Sequence, residues 1–235
     1  MTRGRGRVAV VTGANRGIGR EVARQLAQRG DTVILGSRDL AKGERAAAEL
    51  ARGGAVTLPR QLDVSDQGSV DRLAAWLGDQ YGRVDVLVNN AAINYDTWQR
   101  ASAADLQVVR ETLDTNLLGA WRTTLALLPL LRRGGHARVV NVTSGAGSLA
   151  TMGVGTPAYS VSKAALNALT RILAAELRVD GILVNAICPG WVATDMGGPG
   201  GRPVADGAAS VLWGVDLPDN SPTGGFFRDG RPVPW

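Results

Sequence analysis

The chain contains one cysteine, Cys188, and one histidine, His136. A lone cysteine excludes an internal disulfide and a cysteine cluster for zinc. A lone histidine leaves a Ser-His-Asp hydrolase a single candidate base. His136 stands in Arg132-Arg133-Gly134-Gly135-His136, which reads as an exposed turn and not as a catalytic pocket. Lysine is nearly missing too: Lys42 and Lys163 are the only two, so the net charge of +5 is carried by arginine. These arginines are scattered, without aromatic interleaving or a recognisable binding element, and no nucleic-acid partner is expected. No apolar run reaches the roughly 18 residues of a membrane span. The start, Met1-Thr2-Arg3-Gly4-Arg5-Gly6-Arg7, resembles the basic end of an export signal. Val8-Ala9-Val10-Val11 is too short for the apolar part of one and runs directly into Thr12-Gly13. The expectation is a cytoplasmic protein with no membrane partner and no metal site.

What is present is 235 residues, 45% hydrophobic and 20% charged, which suits one α/β domain with a large core. Apolar β-branched runs alternate with helical patterns along the chain. Strands are expected near residues 7–12, 32–36, 55–62, 84–88, 137–142, 182–187 and 224–227. Pro59 assigns the third of these to an outer position, where a missing donor is tolerated. Such alternation predicts a single doubly wound Rossmann fold over 1–235, with a parallel sheet of about seven strands and helices on both faces. Its cofactor half would run to about residue 135 and its catalytic half from about 136.

The first strand leads into Gly13-Ala14-Asn15-Arg16-Gly17-Ile18-Gly19 and then a helical pattern. Glycines let a backbone approach phosphate, and a helix N-terminus attracts the anion, so this turn is a candidate dinucleotide site. Near the end of the second strand stand Ser37-Arg38-Asp39. An acid here would hold the ribose of NAD, and an arginine would favour the 2′-phosphate of NADP. Asp39 reads as the N-cap of the next helix, which leaves Arg38 and Arg16 flanking the ribose and predicts NADP(H). Asp66 or Ser65 caps another helix. A long helix from about Ala104 or Leu106 to Leu131 is expected to end near Pro129, and it encloses Asn116, an unfavourable amide in mid-helix. The Gly/Pro-rich stretch after Thr194 reads as a mobile loop able to act as a lid.

Tyr159 and Lys163 lie four apart on a helical pattern and so share one face. An ammonium there is expected to lower the phenol pKa from about 10, making a general acid or base. By itself the pair means little, since Tyr-x-x-x-Lys also occurs by chance on solvated helix faces.

Taken in order, Thr12-Gly13-x-x-x-Gly17-x-Gly19, Asp63, Asn89-Asn90-Ala91, Asn116, Ser144, Tyr159-x-x-x-Lys163 and Pro189-Gly190 resemble the short-chain dehydrogenase/reductase family over nearly the whole chain. Arg16, Arg38 and the ending Thr223 to Gly230 resemble its NADPH-dependent carbonyl reductase branch. Two departures stand out: Ala92 where the family usually has glycine, and a short step from Ser144 to Tyr159 without the insertion common in the animal enzymes. The missing insertion leaves room for a homo-oligomer paired through the tyrosine-bearing helix.

The resemblance implies reduction of a small-molecule carbonyl to an alcohol. Tyr159 would be the acid, Ser144 would orient the carbonyl, and Lys163 would hold the nicotinamide ribose. Asn116 would break its helix and hold a relay water. Gly13, Asn15, Arg16, Gly17, Ile18, Gly19 and Arg38 would bind the cofactor phosphates. Asp63 and Val64 would meet the adenine, Asn90 the adenosine ribose, and Pro189, Gly190, Val192 and Thr194 the nicotinamide. The alternative is a non-catalytic NADP-binding regulator of the same fold.

Overall fold

The computed structural model describes residues 6–235. The part of the basic start within Met1 to Arg5 lies outside the described residues. Eight strands form one sheet: β1 (Val8–Val11), β2 (Thr32–Ser37), β3 (Leu58–Gln61), β4 (Val86–Asn89), β5 (Arg138–Val142), β6 (Leu183–Ile187), β7 (Phe226–Arg228) and β8 (Arg231–Pro232). Their order is β3-β2-β1-β4-β5-β6-β7-β8. Every neighbouring pair is parallel except β7–β8. The short antiparallel β8 is the strand that a count of about seven omitted. Its two residues have no alternating pattern to announce them, and Gly230 at φ 75° turns the chain back.

The helices are α1 (Gly17–Gln28), α2 (Leu40–Arg52), α3 (Gln67–Tyr81), α4 (Leu106–Leu113), α5 (Gly119–Gly134), α6 (Pro157–Glu176) and α7 (Val204–Val215). Alternation along β1 shows how the sheet is covered. Val8 and Val10 enter a core with Leu73 and Leu77 of α3, Leu127 and Leu131 of α5, and Leu166 of α6. Ala9 and Val11 enter a second core with Val22 and Leu26 of α1, Leu50 of α2 and Val211 of α7. Successive side chains of a strand point to opposite faces, so a strand buried on both sides must be apolar throughout, as β1 is.

Local signals fix several helix ends. Asp39 caps α2 by accepting from the Lys42 N–H at 3.1 Å. Of the two candidates for α3, Asp66 is the cap, accepting from Gly68 and Ser69. Pro59 sits in β3 at the sheet edge, as expected. Pro129 does not end its helix: α5 continues to Gly134. Leu127, Leu130 and Leu131 are buried on either side of the proline, and Leu125, whose carbonyl loses its donor, is 54% exposed. Water can satisfy that carbonyl, so core packing prevails over the local cost. Between α4 and α5, Asp114–Leu118 forms one π-helical turn.

Candidate active site

Reversal of strand order between β1 and β4 opens a crevice at the carboxyl ends of the strands, where α/β sheets bind ligands. Thr12 secures that point. Its hydroxyl accepts from the Asn90 N–H at 3.0 Å and the Ala91 N–H at 2.9 Å. The Asn90 amide donates to the carbonyls of Thr12 and Gly13 at 2.8 and 3.2 Å. Gly13 and Gly17 have φ of 62° and 55°, a region natural to glycine. A Cβ on Gly19 would lie 2.3 Å from the Asn90 amide nitrogen, so the turn closes only around glycine.

This turn suits a phosphate group. Helix α1 has no side-chain cap and no acid in its first turn, whereas α2, α3 and α4 are each capped by their own aspartate. Its first N–H groups are thus left to an anion. Asn15 is half-buried beside them, and Arg16 is exposed and paired with Asp195 at 2.9 Å. Arg38 is exposed and has no ion pair among the described residues. Asp63 uses Oδ1 in a turn with the Ser65 N–H and hydroxyl, and Val64 is buried against Gly119.

Next to the turn is a cleft of about 290 Å³ whose wall includes Ile18, Ser144, Tyr159, Pro189, Gly190, Val192 and Thr194. Ser144 follows β5 and accepts from the Ala146 N–H. Tyr159 is buried on α6, with its ring edge-on to Tyr95 at 5.2 Å. Lys163, one turn further on, is buried and donates from Nζ to the Val142 carbonyl at 2.8 Å. Its Nζ lies 5.6 Å from the centre of the Tyr159 ring. Asn116 has its amide fully engaged. Oδ1 accepts from the Ile93 N–H, and Nδ2 donates to the Ile93 carbonyl and to the Ser162 hydroxyl. The π turn is where this side chain leaves the helix to serve the segment after β4.

The electrostatics correct one expectation. Burial pushes the Tyr159 phenol well above its ordinary value; the Ser144 hydroxyl draws it back, and Cys188 and Tyr95 add to the rise. The expected lowering by Lys163 is not what the protein alone provides. The ammonium faces the Val142 carbonyl, and desolvation dominates at a phenol this deep. Burial pulls Lys163 itself down to about 8.

The Gly/Pro-rich segment is more tied together than its composition implies. Arg202 donates its N–H to the Trp191 carbonyl, the Ala193 N–H donates back to the Arg202 carbonyl, and the Trp191 indole donates to the Gly197 carbonyl at 2.7 Å. Val192 packs under Gly207 of α7, which anchors this loop beside the cleft.

Two side chains escaped sequence reasoning. Asp96, fully buried in the loop after β4, accepts from the N–H groups of Ala158 and Tyr159 at 2.9 and 3.0 Å. Arg228, at the end of β7, reaches the cleft wall. Neither role leaves a local signal, because Ala158 and Tyr159 lie some sixty residues from Asp96, and Cys188 lies 40 from Arg228.

A crossover-ordered parallel sheet, an uncapped glycine turn at its switch point and a tyrosine–serine cleft beside it define a dinucleotide-binding α/β protein. The family model described as short chain dehydrogenase matches residues 7–202. The chain is 35% identical to carbonyl reductase [NADPH] 1 of Sus scrofa, with 97% of this chain and 94% of the relative covered. It is 34% identical to short-chain dehydrogenase/reductase 1 of Saponaria officinalis, with 97% and 96% covered. The solved structure of NADPH-bound carbonyl reductase from chicken fatty liver superposes with a TM-score of 0.87 at 30% identity, covering 98% of this chain and 100% of that one. The chain belongs to the short-chain dehydrogenase/reductase family.

Proposed function

We propose that this protein is an NADPH-dependent reductase that converts a ketone, aldehyde or quinone to the alcohol. The observation that carries this reading is that the Ser144 and Tyr159 side chains line one cleft beside the glycine turn. NADPH, when bound, supplies the hydride to the carbonyl carbon.

The residues of the chain do the rest. The turn Gly13, Asn15, Gly17, Ile18 and Gly19 and the free N-terminus of α1 hold the diphosphate, and Arg16 and Arg38 receive the 2′-phosphate. Asp63 and Val64 border the adenine, and Asn90 the adenosine ribose. Lys163 holds the nicotinamide ribose, with Pro189, Gly190, Val192 and Thr194 around the carboxamide. The Ser144 hydroxyl donates to the carbonyl oxygen and fixes its direction. The Tyr159 hydroxyl donates to the same oxygen and passes its proton as charge develops there. At neutral pH this phenol carries its proton, as an acid in reduction must. With the Asn116 amide committed to Ile93 and Ser162, a relay water toward Lys163 would have to rest on carbonyls of the π turn.

The rival reading, a cofactor-binding regulator without catalysis, is not favoured, since all four of Asn116, Ser144, Tyr159 and Lys163 are present. Tyr159→Phe should lower kcat by about a hundredfold or more, the usual worth of a positioned acid. The assay is consumption of NADPH with a carbonyl panel, and undiminished turnover would refute the mechanism. The same reading includes a cytoplasmic location, tested by cell fractionation. It also includes a homo-oligomer through α6, whose Val161 and Ile172 are 50% and 54% exposed, tested by light scattering.

A further inference from the structure

Among the residues that wall the cleft, only Arg228 carries a charge. The other lining residues are hydroxyls, glycines, apolar groups and the Cys188 thiol, so the guanidinium of Arg228, itself exposed to solvent, is the one charge on that wall. The carboxylates next in the chain to cleft-lining residues are already engaged. Both oxygens of Asp229 meet Arg202 at 2.9 Å, Asp195 meets Arg16, and Asp96 accepts from Ala158 and Tyr159. Arg228 has no ion pair among the described residues. Among the described residues its side-chain hydrogen-bond partner is the Cys188 sulfur, approached by Nε at 3.3 Å and Nη2 at 3.1 Å. The Gly190 N–H points at the same sulfur at 3.4 Å.

A thiol sulfur is a weak acceptor, whereas a guanidinium offers five donors in a planar fork that matches a carboxylate. Burial of Cys188 fixes the fork from behind without neutralising it. The fork also lies against the backbone of the residue that follows Ser144, since a Cβ on Gly145 would come within 2.8 Å of Nη2. An anion bound there would therefore sit close to a carbonyl held by Ser144 and Tyr159.

We propose that Arg228 binds a carboxylate on the substrate, so that the preferred substrates are oxo acids whose acid group lies a few bonds from the carbonyl. The proposal rests on the reading of the cleft as a carbonyl reductase site. Arg228 then determines specificity, and the neutral remainder of the cleft receives the carbon chain.

The test is steady-state kcat/KM with NADPH on α-oxo and β-oxo acids and their methyl esters, for the wild type, Arg228→Gln and Arg228→Lys. Wild type should prefer the acids. Arg228→Gln should lower the acid-to-ester ratio about tenfold to a hundredfold, mainly through KM, as expected for a lost charge-assisted hydrogen bond. Arg228→Lys should recover part of the ratio. An unchanged ratio in Arg228→Gln overturns the proposal, and so does a loss shared equally by acid and ester with a raised KM for NADPH, which would mark a cofactor or structural role. Ester turnover by the wild type without acid preference refutes Arg228 alone. No turnover of either class overturns the proposal, and turnover of the wider carbonyl panel then decides the reductase reading separately.

Discussion

Removing the Asp96 carboxylate should loosen the helix that carries Tyr159. Pro157 occupies the first position of α6 and has no N–H. The next two donors, Ala158 and Tyr159, both go to Asp96, and Ser160 begins the helical ladder by donating to the Thr156 carbonyl at 2.8 Å. Asp96 thus satisfies every otherwise free donor of the first turn, from a loop some sixty residues away, and places a negative charge at the positive end of the helix. An exposed cap is typically worth about 1 kcal/mol, because water replaces the lost acceptor. Here the carboxylate is 0% exposed. Each buried N–H left without a partner costs about 1–3 kcal/mol, so Asp96→Ala should destabilise by about 2–6 kcal/mol. Asp96→Asn keeps one acceptor oxygen and should lose about half of that. The loss is a large share of the ~5–15 kcal/mol that holds a typical domain. Urea unfolding of the three proteins measures it, with kcat and KM as a second readout, since the Tyr159 backbone is itself held by Asp96. An unfolding free energy for Asp96→Ala that falls by less than about 0.5 kcal/mol would refute this accounting, as surface substitutions typically do no more.

Other outcomes follow from the same geometry. Thr12→Val would leave the Asn90 and Ala91 N–H groups without their acceptor and should cost about 2–5 kcal/mol in chemical denaturation, with weaker cofactor binding. Arg38→Ala should reduce the preference for NADPH over NADH, read as the ratio of kcat/KM values, by about tenfold; an unchanged ratio would remove Arg38 from the ribose pocket. Carbonyl reduction should be flat in rate through neutral pH and decline above about 8, where Lys163 loses its proton while the phenol keeps its own. The shift also has a sign for stability. Between about 8 and the ordinary lysine value of 10.5 the unfolded chain binds the extra proton, so this group favours folding increasingly as pH rises through that window. A pH–rate profile and pH-dependent melting check the two statements.

Much of the fold was legible because it is local. The β1 run is apolar at every position, which is what a strand covered on both faces requires, and Asp39 and Asp66 mark the starts of α2 and α3 by capping chemistry. What local reading left out were features where distant packing and bonding add to local preference. Pro129 lies inside α5 because three buried leucines hold the helix across it. The glycine-rich segment after Thr194 is closed by bonds between Trp191, Gly197 and Arg202 that composition does not forecast.

The sequence by itself determined the alternation of strands and helices, the glycine turn and the placing of Tyr159 and Lys163 on one helix face, because each depends on residues close together in the chain. Only the tertiary structure decided how that tyrosine behaves. Burial in the folded protein, and not the nearby lysine, sets the direction of its proton affinity. Asp96 and Arg228 reach the site from loops and strands far away in sequence. Solvent exclusion and long-range hydrogen bonds exist only once the chain has closed on itself, so no local pattern can encode them.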